Sequence, residues 1–146
     1  MGFFNSINIS TSALTAERLR MDLISKNIAN ANTTRTASGG PYRRQIPVFR
    51  ELEGNSFSDI LKKASGQSGS GKGVEVEAIR EDMSPFKREY NPTHPDADKD
   101  GYVLLPNVET VTEMINLISA TRAYDANITV INGTKGMAMK ALEIGK

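Results

Sequence analysis

The apolar residues near the start of the chain keep to one period. Ile7, Leu14, Met21 and Ile28 recur every seven residues, and Ile24 and Ala31 stand three positions further on. Ala13, Ala16, Leu23 and Ala29 widen the face. This spacing predicts a long amphipathic helix with coiled-coil character over residues 1–32. Ser10 and Glu17 interrupt the seam where apolar groups are wanted. The run Asn30-Ala31-Asn32-Thr33-Thr34 ends the helix, because Asn and Thr side chains compete for backbone hydrogen bonds.

A second helical pattern occupies residues 107–146. Met114, Leu117, Tyr124, Ile128, Ile131, Ala138 and Leu142 follow an alternating three–four spacing, completed by Thr121 and Lys135. Val108, Val111, Ile115 and Ile118 form a stripe beside it. Asn107, just after Pro106, is a candidate N-cap, and Thr110 with Glu113 offers a capping box as the alternative start. A helix of about 35 residues extends about 50 Å. Gly133 and Gly136 weaken its last third by roughly 1 kcal/mol each relative to Ala.

The segment between them, residues 33–106, holds all six prolines. Gly39-Gly40-Pro41 signals a turn. Residues 45–49 read as extended, with Pro47 confining them to an edge. Phe57, Ile60 and Leu61 have the spacing of a short helix. Residues 65–73 are rich in Gly and Ser and read as a flexible stretch. Val74 to Ala78 alternate at period two, the pattern of a half-buried strand, and Tyr102 to Leu105 form a second candidate strand. The predicted architecture is mainly α: two long terminal helices pairing as a coiled coil around a small extended or β middle segment. Two helices cannot bury two-sided apolar stripes against each other alone, so the surplus points to other chains. The seam residues selected as the subunit interface are Leu14, Met21, Ile28, Met114, Leu117, Tyr124, Ile128 and Ile131.

Composition narrows the function. The 146 residues amount to about one domain. Hydrophobic residues are 38% of the chain, which argues against a large self-contained core. Without cysteine there is no disulfide, thiolate metal site or cysteine nucleophile. A formal net charge of +1 supplies no global attraction to nucleic acid or to an anionic membrane. No apolar run has the length of a membrane span, and the N-terminus has no signal-peptide pattern. Residues 1–6 fit the loose myristoylation pattern, which is short and matches many unmodified chains.

Four features resemble chemistry, and each has a blander reading. Residues 66–73 nearly spell a phosphate-binding loop, but Gly73 stands where a magnesium-ligating Ser or Thr is required. The expected order of strand and helix is also reversed there, so a flexible linker fits better. Asp96-Ala97-Asp98-Lys99-Asp100-Gly101 opens like an EF-hand loop, yet Asn107 occupies the position of the bidentate Glu. The expectation is an acidic turn with no metal. His94, the only histidine, has no nucleophile or orienting acid at a useful spacing. Arg35, Arg43, Arg44 and Arg50, with Tyr42 and Phe49 nearby, could stack on nucleic acid. The neutral charge balance favours solvation or contact with an acidic partner surface instead. No cofactor or small-molecule substrate is expected.

The stretch from Leu23 to Thr33, LISKNIANANT, resembles the N-terminal signature of the flagellar basal-body rod proteins. Three further stretches resemble the proximal members of that family: Gly39 to Gln45, Tyr90 to Val108, and Glu113 to Asn127. The resemblance covers most of the chain apart from residues 52–72. It implies a structural, non-enzymatic subunit. Its terminal helices would pack near the axis of a tubular rod against copies of itself and other rod proteins, with the middle segment outside. It also implies export through the flagellar type III apparatus without a cleavable signal, assembly in the cell envelope and a share in transmitting motor torque. Asn27, Asn30 and Asn32 belong to the shared motif and suit backbone hydrogen bonding where the first helix ends. An exported coiled-coil adaptor or chaperone-like module is the alternative from another class; it would form a small defined complex rather than a polymer.

Overall fold

A computed structural model describes residues 3–37, 39–52, 61, 65 and 72–144. Two long helices bracket four short strands. Helix α1 spans Phe3–Ala29, β1 Gln45–Glu51, β2 Val74–Glu81, β3 Lys87–Tyr90, β4 Tyr102–Leu105 and helix α2 Thr110–Ile144. Strands β1 and β2 form one two-stranded sheet, and β3 and β4 form another. The short helix expected at Phe57, Ile60 and Leu61 lies outside the described residues except for Leu61. The phosphate-loop-like run and most of the Gly/Ser-rich stretch lie outside them too.

Local chemistry sets the helix limits. At the end of α1, Asn30 N donates to Lys26 O at 3.1 Å and its side-chain Nδ2 donates to the same carbonyl at 2.8 Å. The side chain thereby adds a second donor to the carbonyl that closes the last turn. Helix α2 starts at Thr110, later than the Asn107 start considered from sequence. Its first turn closes through Glu113 N to Glu109 O at 2.9 Å. Asn107 caps nothing there, because its side chain is committed to the strands described below.

Strand β3, Lys-Arg-Glu-Tyr, is fully exposed and lacks any apolar alternation. It exists through its antiparallel partner β4, with Arg88 opposite Leu104 and Tyr90 opposite Tyr102. The Tyr90 and Tyr102 rings meet edge-on at 5.3 Å. Gly101 makes this possible: its φ is +79°, and a Cβ there would come within 2.9 Å of the Tyr90 ring. On the other face of β4, Val103 is buried.

By packing, the chain forms two compact units. One comprises Leu19–Val48 and Ala78–Ala120. Its core holds Leu23, Ile24, Tyr42, Val103, Pro106, Val108 and Ala120. The other comprises Met1–Arg18, Phe49–Glu77 and Thr121–Lys146, and among its described residues Ser10, Ala16 and Thr134 are buried. There Ser12 Oγ accepts from Val74 N at 3.1 Å and donates to Ile9 O at 2.7 Å, docking the start of β2 on α1. Gly73 is what allows the approach, since a Cβ would overlap Ser12 Oγ at 2.2 Å.

Candidate assembly surface

Among the described residues the most deeply buried polar side chains, Asn27 and Glu113, meet in a junction completed by the partly exposed Arg44. Asn27 is 1% exposed. Its Oδ1 accepts from Gln45 N at 2.9 Å and its Nδ2 donates to Gln45 O at 2.8 Å. The side-chain amide thus pairs with both backbone groups of one residue of β1, as a residue on a neighbouring antiparallel strand would. Asn27 Oδ1 also accepts from Tyr42 Oη at 2.9 Å, and Nδ2 also donates to Glu113 Oε2 at 3.1 Å. All four hydrogen-bonding positions of the amide are filled.

Glu113, also 1% exposed, receives Arg44 Nε at 2.9 Å and Nη2 at 2.6 Å on its Oε1. A buried carboxylate is tolerable only when paired and hydrogen-bonded in this way. Arg44 N donates to Asn107 Oδ1 at 2.9 Å, and Asn107 Nδ2 donates to Asp82 O and Ser84 Oγ, both at 2.9 Å. Arg44 further reaches Asp82 Oδ2 at 3.4 Å. Hydrogen bonds from Ser84, joined by Arg44, hold the Asp82 carboxyl below its ordinary value of 3.8. Burial, with Glu113 and Glu81 adding repulsion, pushes the Tyr42 phenol above 10.0. The junction ties α1, the start of β1, the end of β2 and the start of α2 into one unit.

The inward row of α2 coincides only in part with its apolar spacing. Positions 113, 117, 120, 124, 127, 131, 134 and 138 form a strict four–three repeat of buried or half-buried residues. Three of them, Glu113, Ala120 and Thr134, are the most buried and are small or polar. Thr134 satisfies its hydroxyl on Val130 O at 2.7 Å. On the outer side, Val111, Met114, Ile115 and Ile118 are 63, 57, 62 and 54% exposed. These four share one face by the i, i+3, i+4, i+7 rule.

The residues selected from sequence divide accordingly. Leu14, Met21 and Ile28 are half-buried on α1, as are Leu117, Tyr124 and Ile131 on α2. Met114 and Ile128 are exposed. Of the three asparagines, Asn27 is buried in the junction, Asn30 closes α1, and Asn32 is exposed. Sequence reasoning treated Glu113 as half of a capping box and Arg44 as part of a basic stretch, and so missed their pairing. The available signal was a Glu among apolar helical positions together with an Arg two residues after an aromatic.

The remaining motifs serve turns and contacts between segments. His94 Nδ1 accepts from Asp96 N at 3.1 Å. Asp96 Oδ2 accepts from Thr34 Oγ1 at 2.8 Å, and Asp98 Oδ1 from Lys99 N at 2.7 Å. Arg43 lies over the Phe86 ring at 4.3 Å, and Arg50 pairs with Glu75. Among the described residues no helix is long and apolar enough to cross a membrane.

Comparison with known proteins identifies the family. Residues 7–35 match the family described as flagella basal body rod protein, and residues 99–144 match the C-terminal family of the flagellar basal body rod FlgEFG proteins. The flagellar basal-body rod protein FlgC of Bacillus subtilis is 52% identical over 151 residues, covering all of both chains. The FlgC of Borreliella burgdorferi is 50% identical, covering 99% of this chain and 98% of the relative. That of Salmonella typhimurium is 38% identical over the full length of both. The chain therefore belongs to the FlgC family of flagellar basal-body rod proteins, structural subunits rather than enzymes.

Proposed function

We propose that this rod subunit assembles through its two terminal helices, which pair in coiled-coil fashion and pack against copies of itself and other rod proteins in a tubular drive shaft that transmits motor torque. The observation that carries this reading is the uncovered apolar stripe Val111, Met114, Ile115 and Ile118 on α2. An exposed stripe of this kind on a protein with little apolar core marks a contact with another chain. Covering the exposed parts of four such side chains contributes on the order of 5 kcal/mol per contact. Repeated around and along a tube, contacts of that size resist torsion without any single strong bond. The half-buried Leu14, Met21, Ile28, Leu117, Tyr124 and Ile131 are the seam, and Met114 and Ile128 stand at its outer edge. Synthesis in the cytoplasm and passage through the flagellar type III export apparatus complete the reading. A strain lacking this chain tests it. Electron micrographs of its envelopes should lack rods and hooks, and intact rods would refute the assignment.

A further inference from the structure

The sequence contains one Asn-Gly pair, Asn132–Gly133, and it lies inside α2 with both residues exposed. A Cβ on Gly133 or on Gly136 would meet nothing within 4 Å. Beyond the pair, Met137, Met139, Leu142 and Ile144 are 67, 54, 75 and 86% exposed, while only Thr134 is buried and Ala138 half-buried. The last turns of α2 are thus held chiefly by their own backbone bonds, in a stretch carrying two residues of poor helix propensity. Helical segments with so little packing open locally well before the whole molecule does.

We propose that Asn132 is a site of spontaneous deamidation, gated by local opening of the C-terminal part of α2. The Gly133 backbone nitrogen attacks Asn132 Cγ, and a new C–N bond closes a five-membered imide. The Cγ–Nδ2 bond breaks, and the side-chain nitrogen leaves as ammonia, carrying the proton lost by Gly133. Water then adds to either imide carbonyl and opens the ring to aspartate or isoaspartate. Only water is consumed and nothing is oxidised or reduced. Gly133 favours the first step because it has no side chain to crowd its nitrogen. In the closed helix a backbone ψ of about −42° turns that nitrogen away from Cγ, and the reaction stops. The other asparagines of α2 are poorer sites. Asn116 precedes Leu117 and Asn127 precedes Ile128, and their amides donate to Glu113 Oε1 and Ala123 O. Isoaspartate at 132 adds a backbone carbon between Ile131 and Thr134, throwing the later inward positions out of phase. The consequence for assembly rests on the proposed function; the modification itself does not.

The test uses the isolated full chain at mildly alkaline pH, folded and in concentrated urea, with peptide mapping by mass spectrometry. In urea Asn132 should convert ahead of Asn116 and Asn127, and in the folded chain it should convert more slowly than in urea. Gly136→Ala restores helix propensity three residues from the reacting pair without touching it. It should slow conversion in the folded chain about fivefold and leave the rate in urea unchanged. Equal rates with and without urea, an unchanged folded rate in Gly136→Ala, or no conversion of Asn132 in urea would each overturn the proposal. Because no polymer is involved, failure here is separable from failure of the assembly reading.

Discussion

Glu113 and Met114 are neighbours on α2, and the charged one is the buried one: 1% exposed against 57%. The contrast extends along the helix. Its inward row mixes the polar or small Glu113, Ala120, Asn127 and Thr134 with the half-buried Leu117, Tyr124 and Ile131; its outward face near the start carries Val111, Met114, Ile115 and Ile118. At the start of the helix a monomer built for its own stability would have the opposite distribution, since burying apolar area is the main favourable term in folding. Glu113 on the inward side instead fixes the alignment of this end through directed hydrogen bonds, while on the proposed function the outward apolar face is left for neighbours.

The largest effect is expected from disturbing the inward face. Asn27→Asp removes the donors to Gln45 O and Glu113 and sets a second carboxylate beside the first. It should cost about 4 kcal/mol at neutral pH, the range for an uncompensated buried charge, read by urea unfolding. The loss should shrink in acid, where the new carboxyl takes up a proton and can donate to Glu113. A neutral-pH change below about 1 kcal/mol, the scale of an ordinary hydrogen bond, would show that the junction is dispensable.

An intermediate effect is expected at the docking of β2 on α1. Gly73 has a φ of +121° and stands against Ser12. Gly73→Ala should cost about 2 kcal/mol through backbone strain and displacement of Ser12. Ser12→Ala removes only the hydrogen-bonding hydroxyl and should cost about 1 kcal/mol. Equal stability of the Gly73→Ala variant and the parent would contradict the contact.

The period of both helices was legible in the sequence because apolar spacing encodes it directly. The face was less so. Leu117, Tyr124 and Ile131 do stand on the inward row of α2, but Met114 and Ile128 lie outside it, displaced by Glu113 and Asn127. Hydropathy ranks a glutamate as solvent-facing and cannot see that Arg44, 69 residues earlier, will pair with it. Strands β1, β2 and β4 announced themselves by alternation or β-branched content. Strand β3 did not, because Lys-Arg-Glu-Tyr pairs only in the presence of β4. Asn107 read as a helix cap, a role its type favours, yet its amide bridges Arg44 to Asp82 and Ser84.

The smallest effect concerns the rim of the junction. The Asp82 carboxyl is held below 3.8, chiefly by hydrogen bonds from Ser84. A lowered pKa stabilises the fold at pH values above 3.8, and this contribution is lost as pH falls through the folded value. Asp82→Asn should therefore lower stability slightly at neutral pH and flatten the acid limb of the stability–pH profile below about pH 4, the two profiles converging in acid. An acid limb identical to that of the parent would exclude Asp82 as its source.

The division of labour between the two faces is tested most directly by Ile115→Asp, measured for both monomer stability and incorporation into basal bodies. Ile115 is 62% exposed, so urea unfolding of the variant should fall within about 0.5 kcal/mol of the parent, as for other surface changes. The same variant should be made normally yet leave cells non-motile, with no rods in isolated basal bodies. A variant that builds normal rods would contradict the account, because the outward stripe would then not be an assembly surface.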